Sequence, residues 1–560
     1  MAISGVGNER TRAVGRAIMG LLCPLSVTSP LRISSSISTP LADSPDSGQK
    51  LVSVLDMGAS AIRLVIAEVG PGAPPRVIEE ASRGVLLGRD TFSARAIRSK
   101  TIDNALGALE GFRKIMDGYG VGRVRAVATS AVREARNVDT FLDRIQGRTG
   151  ISFEVIDEAE ESRLIFLAVR HALRRHPAFK GARTLLAEVG GGSTSLSLLR
   201  RGEPTQSGVY ALGSVRLRQQ LDLQRHSLDA QVALLKRYVA NVIEEIRLEI
   251  PLGRITQMIV VGGDVRFAAS QIQEGDADSG GREISRERFL AFCDEIERLD
   301  DEGIVDRFRL PAVEAETLSP ALLVYRQLLA ETSARRLVVS DASLRSGMLL
   351  DLADAGGGAN VADFERQVLA SAEAVGGRYR FDAEHGKHVA KLATRLFDEF
   401  RDEHRLTDRQ RLLLQVAALL HDIGVYVSLR AHHKHSQYIL DASQIFGLSH
   451  EETSVVANIA RYHRRGLPAK THLPYVALDR EDRLVVNKLA AILRVANALD
   501  AEHAQKVTDL KLIRRSTSWI LELNGTGDVT MELLAANARM DLFVETFGRQ
   551  LVIRSGGVPS

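Results

Sequence analysis

The sequence predicts an α/β chain of two related domains, followed by a helical domain. Three observations predict it. Residues 51–69, "LVSVLDMGASAIRLVIAEV", and 184–199, "TLLAEVGGGSTSLSLL", follow one plan: a β-rich run, an acid, a glycine turn with serine, and a second β-rich run. At roughly 100–200 residues per domain, 560 residues imply three or four domains, enough to bury large cores. From His385 onward the period changes, because His385, Val389, Leu392 and Leu396 recur at spacings of four, three and four on one helix face.

The first 48 residues differ from the rest. Arg10, Arg12 and Arg16 precede a short apolar stretch, and a Ser/Thr/Pro-rich segment follows. This reads as a disordered tail or an overextended start rather than an export signal, since no clear small-x-small cleavage site follows the apolar stretch. The remaining composition is that of a soluble cytoplasmic protein: 45% hydrophobic and 26% charged residues, and no apolar run near the ~18 residues that span a bilayer. A net charge of +3 excludes no partner class but does not announce nucleic-acid binding. Two cysteines, Cys23 and Cys293, are too few for a disulfide framework and have no metal-ligand spacing.

Each glycine turn suits phosphate. Glycine lets the backbone approach an anion while N–H groups and hydroxyls donate to its oxygens, and a carboxylate at the strand end can hold a hydrated Mg²⁺. The candidates are Asp56, Gly58 and Ser60 in the first turn, and Glu188, Gly190, Gly191, Gly192, Ser193 and Thr194 in the second. A plain tight hairpin, whose glycines only supply positive φ, is the alternative for either turn alone. The repeat of the plan 132 residues later favours phosphate.

Between the turns lie "AVATSAVREARN" (126–137), an apolar strand running into a polar turn, and "FEVIDEAEESRLIF" (153–166). With these residues the chain resembles the Ppx/GppA family of exopolyphosphatases and guanosine pentaphosphate phosphohydrolases. The marks come in order: Thr129, Arg133 and Asn137; Glu160-Glu161-x-Arg163-Leu164; the Gly190–Thr194 loop; "LGSVRL" (212–217); and "SDASLRSG" (340–347). The resemblance covers about residues 50–555 and implies two actin-like (ribonuclease H-like) domains facing across a cleft. It makes Glu161 the general base that orients the attacking water and Arg133 a ligand of the terminal phosphate. Hydrolysis of a phosphoanhydride needs such a carboxylate, a guanidinium and a metal. Read without the family, "DEAEESR" also fits a solvated helix start, its acids favouring the N-terminal dipole.

Several positions depart from the family pattern. The usual D-x-G-S-N-S loop is Asp56-Met57-Gly58-Ala59-Ser60-Ala61, so side-chain donors are lost. Glu188 replaces an Asp, and Ser195 replaces a Glu. Asp264, where Thr is usual, places a negative charge near the prospective phosphate channel. Mg²⁺, held by Asp56 and Glu188, is still the expected cofactor.

After the glycine-rich linker "DLADAGGGAN" (351–360), "LLLQVAALLHDIG" (412–424) is an apolar helix ending in His421-Asp422. This part resembles an HD domain, which implies a divalent metal on His385, His421, Asp422 and a later acid. That last position is Asn497; Asp500, His435 or His463 are the candidate substitutes, and a scaffold of core histidines is the alternative. The clusters 430–435 and 461–465 read either as a track for a polyphosphate tail or as a solvated basic face.

The expected organisation is a tail (1–48), actin-like domain I (49–178), actin-like domain II (179–352), an HD-type helical domain (353–505) and a small α/β module (506–560). The expected activity is Mg²⁺-dependent release of terminal phosphate from inorganic polyphosphate. Guanosine pentaphosphate is the other substrate, and a catalytically weakened polyphosphate- or nucleotide-binding regulator is the non-enzyme alternative. Neither a membrane nor a specific nucleic acid is expected as a partner, and a homodimer is the default oligomer.

Overall fold

The computed structural model describes residues 50–70, 73–272, 281–354, 359–515 and 518–555. The expected tail and part of the glycine-rich linker lie outside the described residues.

Both copies of the sequence repeat fold as antiparallel hairpins. In the first, β1 (Lys50–Met57) pairs with β2 (Ala61–Val69); β3 (Arg76–Gly84) extends the meander. After helices α1 (Leu87–Ala94) and α2 (Ser99–Gly118), β4 (Arg123–Ala128) lies parallel to β1. Helices α3 (Ser130–Arg133) and α4 (Val138–Thr149) then lead to β5 (Phe153–Val155), which completes a sheet of order β3-β2-β1-β4-β5. The central strand β1 is buried on both faces from Val52 onward, which explains its nearly continuous apolar reading.

Helix α5 (Glu158–Leu173) follows. Asp157 caps it by accepting from the Glu160 amide at 2.8 Å, and Glu158, Glu160 and Glu161 fill the first turn, where carboxylates oppose the macrodipole.

The plan then repeats. Strands β6 (Thr184–Val189), β7 (Thr194–Arg200) and β8 (Glu203–Tyr210) form the second meander, followed by α6 (Ser214–Gln220), α7 (Leu228–Glu249), β9 (Gln257–Val261) and α8 (Gly263–Gln271). Strand β10 (Gly281–Ser285) is an edge addition; α9 (Arg286–Ile296), α10 (Asp301–Phe308) and α11 (Ala312–Ala330) precede β11 (Arg336–Ser340). The order is β10-β11-β9-β6-β7-β8. Leaving β10 aside, this is the first sheet's order again, so the chain carries two actin-like domains. Helix α12 (Leu344–Asp354), the last of domain II in sequence, crosses back to pack on α5 and β1. Leu344, Met348 and Leu352 join Val52, Val65, Ile165, Leu186, Ile259 and Val338 in one core between the two sheets.

The C-terminal region is helical as expected: α13 (Ala359–Arg378), α14 (Ala383–Glu399), α15 (Arg401–His404), α16 (Asp408–Leu420), α17 (His432–Asp441), α18 (His450–Arg461), α19 (Leu473–Val476) and α20 (Arg480–Ala498). Helix α14 buries His385, Val389, Leu392 and Leu396, the face expected from their spacing. The last segment forms β12 (Val507–Arg514), β13 (Ser518–Gly525), α21 (Thr530–Asn537), α22 (Asp541–Phe547) and β14 (Gln550–Ser555). It has no core of its own: Trp519, Leu521 and Phe543 pack with Phe400, Leu489 and Leu493 in the core of the helices. Phe446, between α17 and α18, reaches the inter-sheet core and meets Phe166 edge-on at 5.4 Å. No helix among the described residues is long and apolar enough to cross a membrane.

Candidate active site between the two hairpins

The two turns are built alike. The Gly58 amide donates to the Ala61 carbonyl at 3.1 Å, and the Gly190 amide donates to the Ser193 carbonyl at 2.9 Å. Those two N–H groups are therefore spent on closing the turns rather than free for phosphate. None of Gly58, Gly190, Gly191 and Gly192 has positive φ, so the plain-hairpin explanation of these glycines does not hold. Close approach is the reason for two of them. A Cβ on Gly191 would lie 2.9 Å from the Ala59 Cβ of the opposite turn, and one on Gly192 would collide with Ser130 Oγ. Thr194, expected to offer its hydroxyl to phosphate, is fully buried and donates to the Leu212 carbonyl at 2.8 Å. Ser60 and Ser193 stay partly exposed at the turns.

The two acids end their strands at matching positions, Asp56 opposite Arg63 and Glu188 opposite Ser195. Glu161, on the first turn of α5, completes a trio. Burial is the main cause that pushes its carboxyl up to about 7; Asp56 adds to it, and Arg133 opposes it with Nη1 3.9 Å from Oε2. Glu188 is pushed up to about 8, again by burial first and then by the charges of Glu161 and Asp56. Glu161 and Glu188 each feel the charge of Asp56, and this all-oxygen donor set suits a hard divalent ion such as Mg²⁺. Ser195 offers no carboxylate, and its Oγ lies 3.1 Å from Ser162 Oγ, beside Glu161 in sequence.

Arginines surround the trio. Arg133 donates to the Ile156 carbonyl and to Glu158 at 2.6 Å. Arg345 Nη1 donates to Asp56 Oδ2 at 2.9 Å, and Arg63 lies 3.8 Å from the same oxygen. Arg266 on α8 partly offsets the upward push on Glu188 through its charge. No local pattern in the sequence gives Arg63, Arg266 or Arg345 a role. Asp264, expected to repel polyanions, accepts from Thr317 Oγ1 at 2.9 Å, and burial pushes it up to about 6. Asn137 is structural, since its amide bridges the backbone N–H and C=O of Ile97.

Ion pairs tie the two domains beside the site. Arg89 on α1 binds Glu316 on α11 at 2.8 Å, and Arg216 on α6 pairs with Glu134 while donating to the Gly192 carbonyl.

A second cluster lies in the helical domain. The structure brings His385, His421 and Asp422 together as expected, and His463 joins them. His432, assigned only to a basic cluster from sequence, is buried here too, so neither His432 nor His463 belongs to a surface track. His435 is not among the clustered donors, and Asp500 instead holds His385 Nδ1 at 2.7 Å.

A "Guanosine-5'-triphosphate,3'-diphosphate pyrophosphatase" of Vibrio vulnificus is 24% identical over 520 residues, covering 90% of this chain and 98% of that protein. "Exopolyphosphatase 1" of Mycobacterium bovis is 26% identical over 337 residues, covering 58% of this chain and 94% of that one. A crystal structure of an exopolyphosphatase from Cytophaga hutchinsonii aligns at 24% identity with a TM-score of 0.49, over 55% of this chain and 98% of that one. The Ppx/GppA phosphatase family matches residues 65–355 and domain III of the same family matches 368–539; the chain belongs to the Ppx/GppA phosphatase family.

Proposed function

We propose that this phosphoanhydride hydrolase removes the terminal phosphate of inorganic polyphosphate at the cleft between the two hairpins. The observation that carries the reading is the pairing of three crowded carboxylates, Asp56, Glu161 and Glu188, with Arg63, Arg133, Arg266 and Arg345. Arginine fixes and neutralises phosphate oxygens, and a carboxylate pushed up to about 7 is poised to take a proton near neutral pH. Glu161 accepts the proton of a water whose oxygen attacks the terminal phosphorus. The bridging P–O bond breaks, and the shortened chain leaves with the electron pair. Arg133 steadies the equatorial oxygens, while the partly exposed turn residues Ser60 and Ser193 and the amides of Gly191 and Gly192 lie where the phosphate would rest. Asp56 and Glu188 would hold Mg²⁺. Bound there, the ion supplies charge neutralisation to the phosphoanhydride.

Guanosine pentaphosphate is the second reading, favoured by the Vibrio vulnificus relative that matches 90% of this chain and bears that activity in its name. Phosphate release from purified protein given long-chain polyphosphate, guanosine pentaphosphate or ATP, with and without Mg²⁺, tests both. The expected result is Mg²⁺-dependent release that is fastest from polyphosphate. Faster release from guanosine pentaphosphate reverses the order of the two readings, and release from neither leaves the binding regulator.

A further inference from the structure

The histidines of the helical domain share a hydrogen-bonding pattern that the phosphate cleft does not explain. His421 Nδ1 lies 2.7 Å from the Ala418 carbonyl, His463 Nδ1 2.6 Å from the Ala460 carbonyl, and His432 Nδ1 3.2 Å from the Leu429 carbonyl. A carbonyl can only accept, so each Nδ1 carries the proton, and each neutral ring is left with a bare lone pair on Nε2. His385 is held the same way by Asp500.

These lone pairs converge on one carboxylate. Nε2 of His432 and of His463 lie 3.1 and 3.3 Å from Asp422 Oδ1, and 3.2 Å from each other. His421 Nε2 lies 3.6 Å from Asp422 Oδ2. Nε2 of His421 and of His385 have no hydrogen-bond partner, although the two residues are 0% and 1% exposed. Unprotonated nitrogens and a carboxylate at these distances repel one another, and a cation at their centre turns that repulsion into attraction. Ligands on a single ion with bonds of about 2.1 Å stand about 3.0–3.4 Å apart at angles between octahedral and tetrahedral. The three distances among Asp422, His432 and His463 fall in that interval.

We propose that Asp422, His432 and His463 bind a divalent transition-metal ion, with His421 facing the other oxygen of the same carboxylate. Two imidazoles and one carboxylate select zinc, cobalt, nickel, iron or manganese over Mg²⁺, which prefers oxygen alone. The Nδ1–carbonyl bonds are the outer contacts that orient metal-bound imidazoles elsewhere. The set differs from the ligands implied by the HD resemblance: Asn497 and Asp500 are not in it, and His432 is. The site is independent of the cleft and of any activity assigned there.

The test uses the full chain, stripped with a chelator and titrated with Co²⁺ and with Zn²⁺ against a chromophoric competitor, with elemental analysis for stoichiometry. At least one equivalent should bind per chain, and Co²⁺ should give visible d–d bands that excess Mg²⁺ leaves in place. His432→Gln and His463→Gln should each weaken binding at least about tenfold, since losing only an outer-shell partner typically costs about 10–100-fold. His435→Gln should bind like wild type, and Glu188→Gln should keep the Co²⁺ bands. Circular dichroism checks each variant's fold. Should a variant fail to fold, the wild-type titration decides alone. No Co²⁺ bands and less than 0.1 equivalent retained, at protein and metal concentrations of about 100 µM, would overturn the proposal. Equal affinity in folded His432→Gln and His463→Gln would overturn it as well.

Discussion

Replacing Glu161 with Gln should move activity and stability in opposite directions. If its carboxylate takes the proton from water, Glu161→Gln lowers phosphate release about 10²–10⁴-fold, a barrier increase of about 2.7–5.5 kcal/mol. The same change removes one of three crowded carboxylates. In the folded protein the Glu161 carboxyl sits at about 7 instead of 4.5, so it binds its proton more tightly folded than unfolded. That stabilisation is fully present below about pH 4.5 and is lost as pH rises through about 7. At about 1.4 kcal/mol for each tenfold change in proton affinity, the upper bound above pH 7 is about 3 kcal/mol. The side chain is 21% exposed, and screening brings the expected gain nearer 1–2 kcal/mol. Denaturant melts in EDTA, which removes ions that would neutralise the cluster, should therefore show Glu161→Gln stabilised at pH 8 and close to wild type at pH 5. Phosphate release within about threefold of wild type refutes the base assignment. A variant that is less stable at pH 8 than at pH 5, relative to wild type, refutes the crowding argument.

Mg²⁺ should raise the melting temperature of wild type, and Glu188→Gln should lose most of that rise; an equal rise in both places the ion elsewhere. Phe446→Ala should cost about 3–5 kcal/mol, because the ring is fully buried where the helical domain meets the inter-sheet core, and denaturant melts read it directly. Gly192→Ala should push the second turn away from Ser130 and Phe92 and slow turnover about tenfold; Ser130→Gly in the same chain, which removes the colliding hydroxyl, should restore part of the loss in kcat/KM. Cys293, whose thiol burial pushes up to about 12, should resist thiol reagents at pH 8 until the protein unfolds, as a time course with and without denaturant would show.

The parts of this molecule that were legible in the sequence are those written in local pattern. The two hairpins and their acids appear because an antiparallel pair with a short turn is a single stretch of chain, and α14 appears because one helix face repeats every three or four residues. What escaped depends on distance. Arg345 reaches Asp56 from 289 residues away, and no local spacing announces it. Thr194 looked like a donor because the turn is rich in hydroxyls, but a β-strand alternates its faces and this one turns inward to Leu212. The glycines of the second turn read correctly as special and incorrectly as to cause: the missing side chain of Gly191 makes room for Ala59 of the opposite turn, and that of Gly192 for Ser130. His432 sat in a run of basic letters, and only the packing of α17 against α18 separates it from its charged neighbours.

The return of α12 to the first domain has a consequence during synthesis. Leu173 ends α5, and the first residue of α12 is Leu344, so a ribosome adding about 5–20 residues per second takes about 10–30 s to travel between them. Throughout that interval the face of α5 and β1 that α12 will cover has emerged without its partner, and Arg125 and Arg163, both bound by Asp351 in the finished protein, have no counter-ion on that side. The nascent first domain is then an open half-core, the kind of surface that chaperones hold and that neighbouring nascent chains exchange. The two domains mature together, when the chain closes behind residue 354.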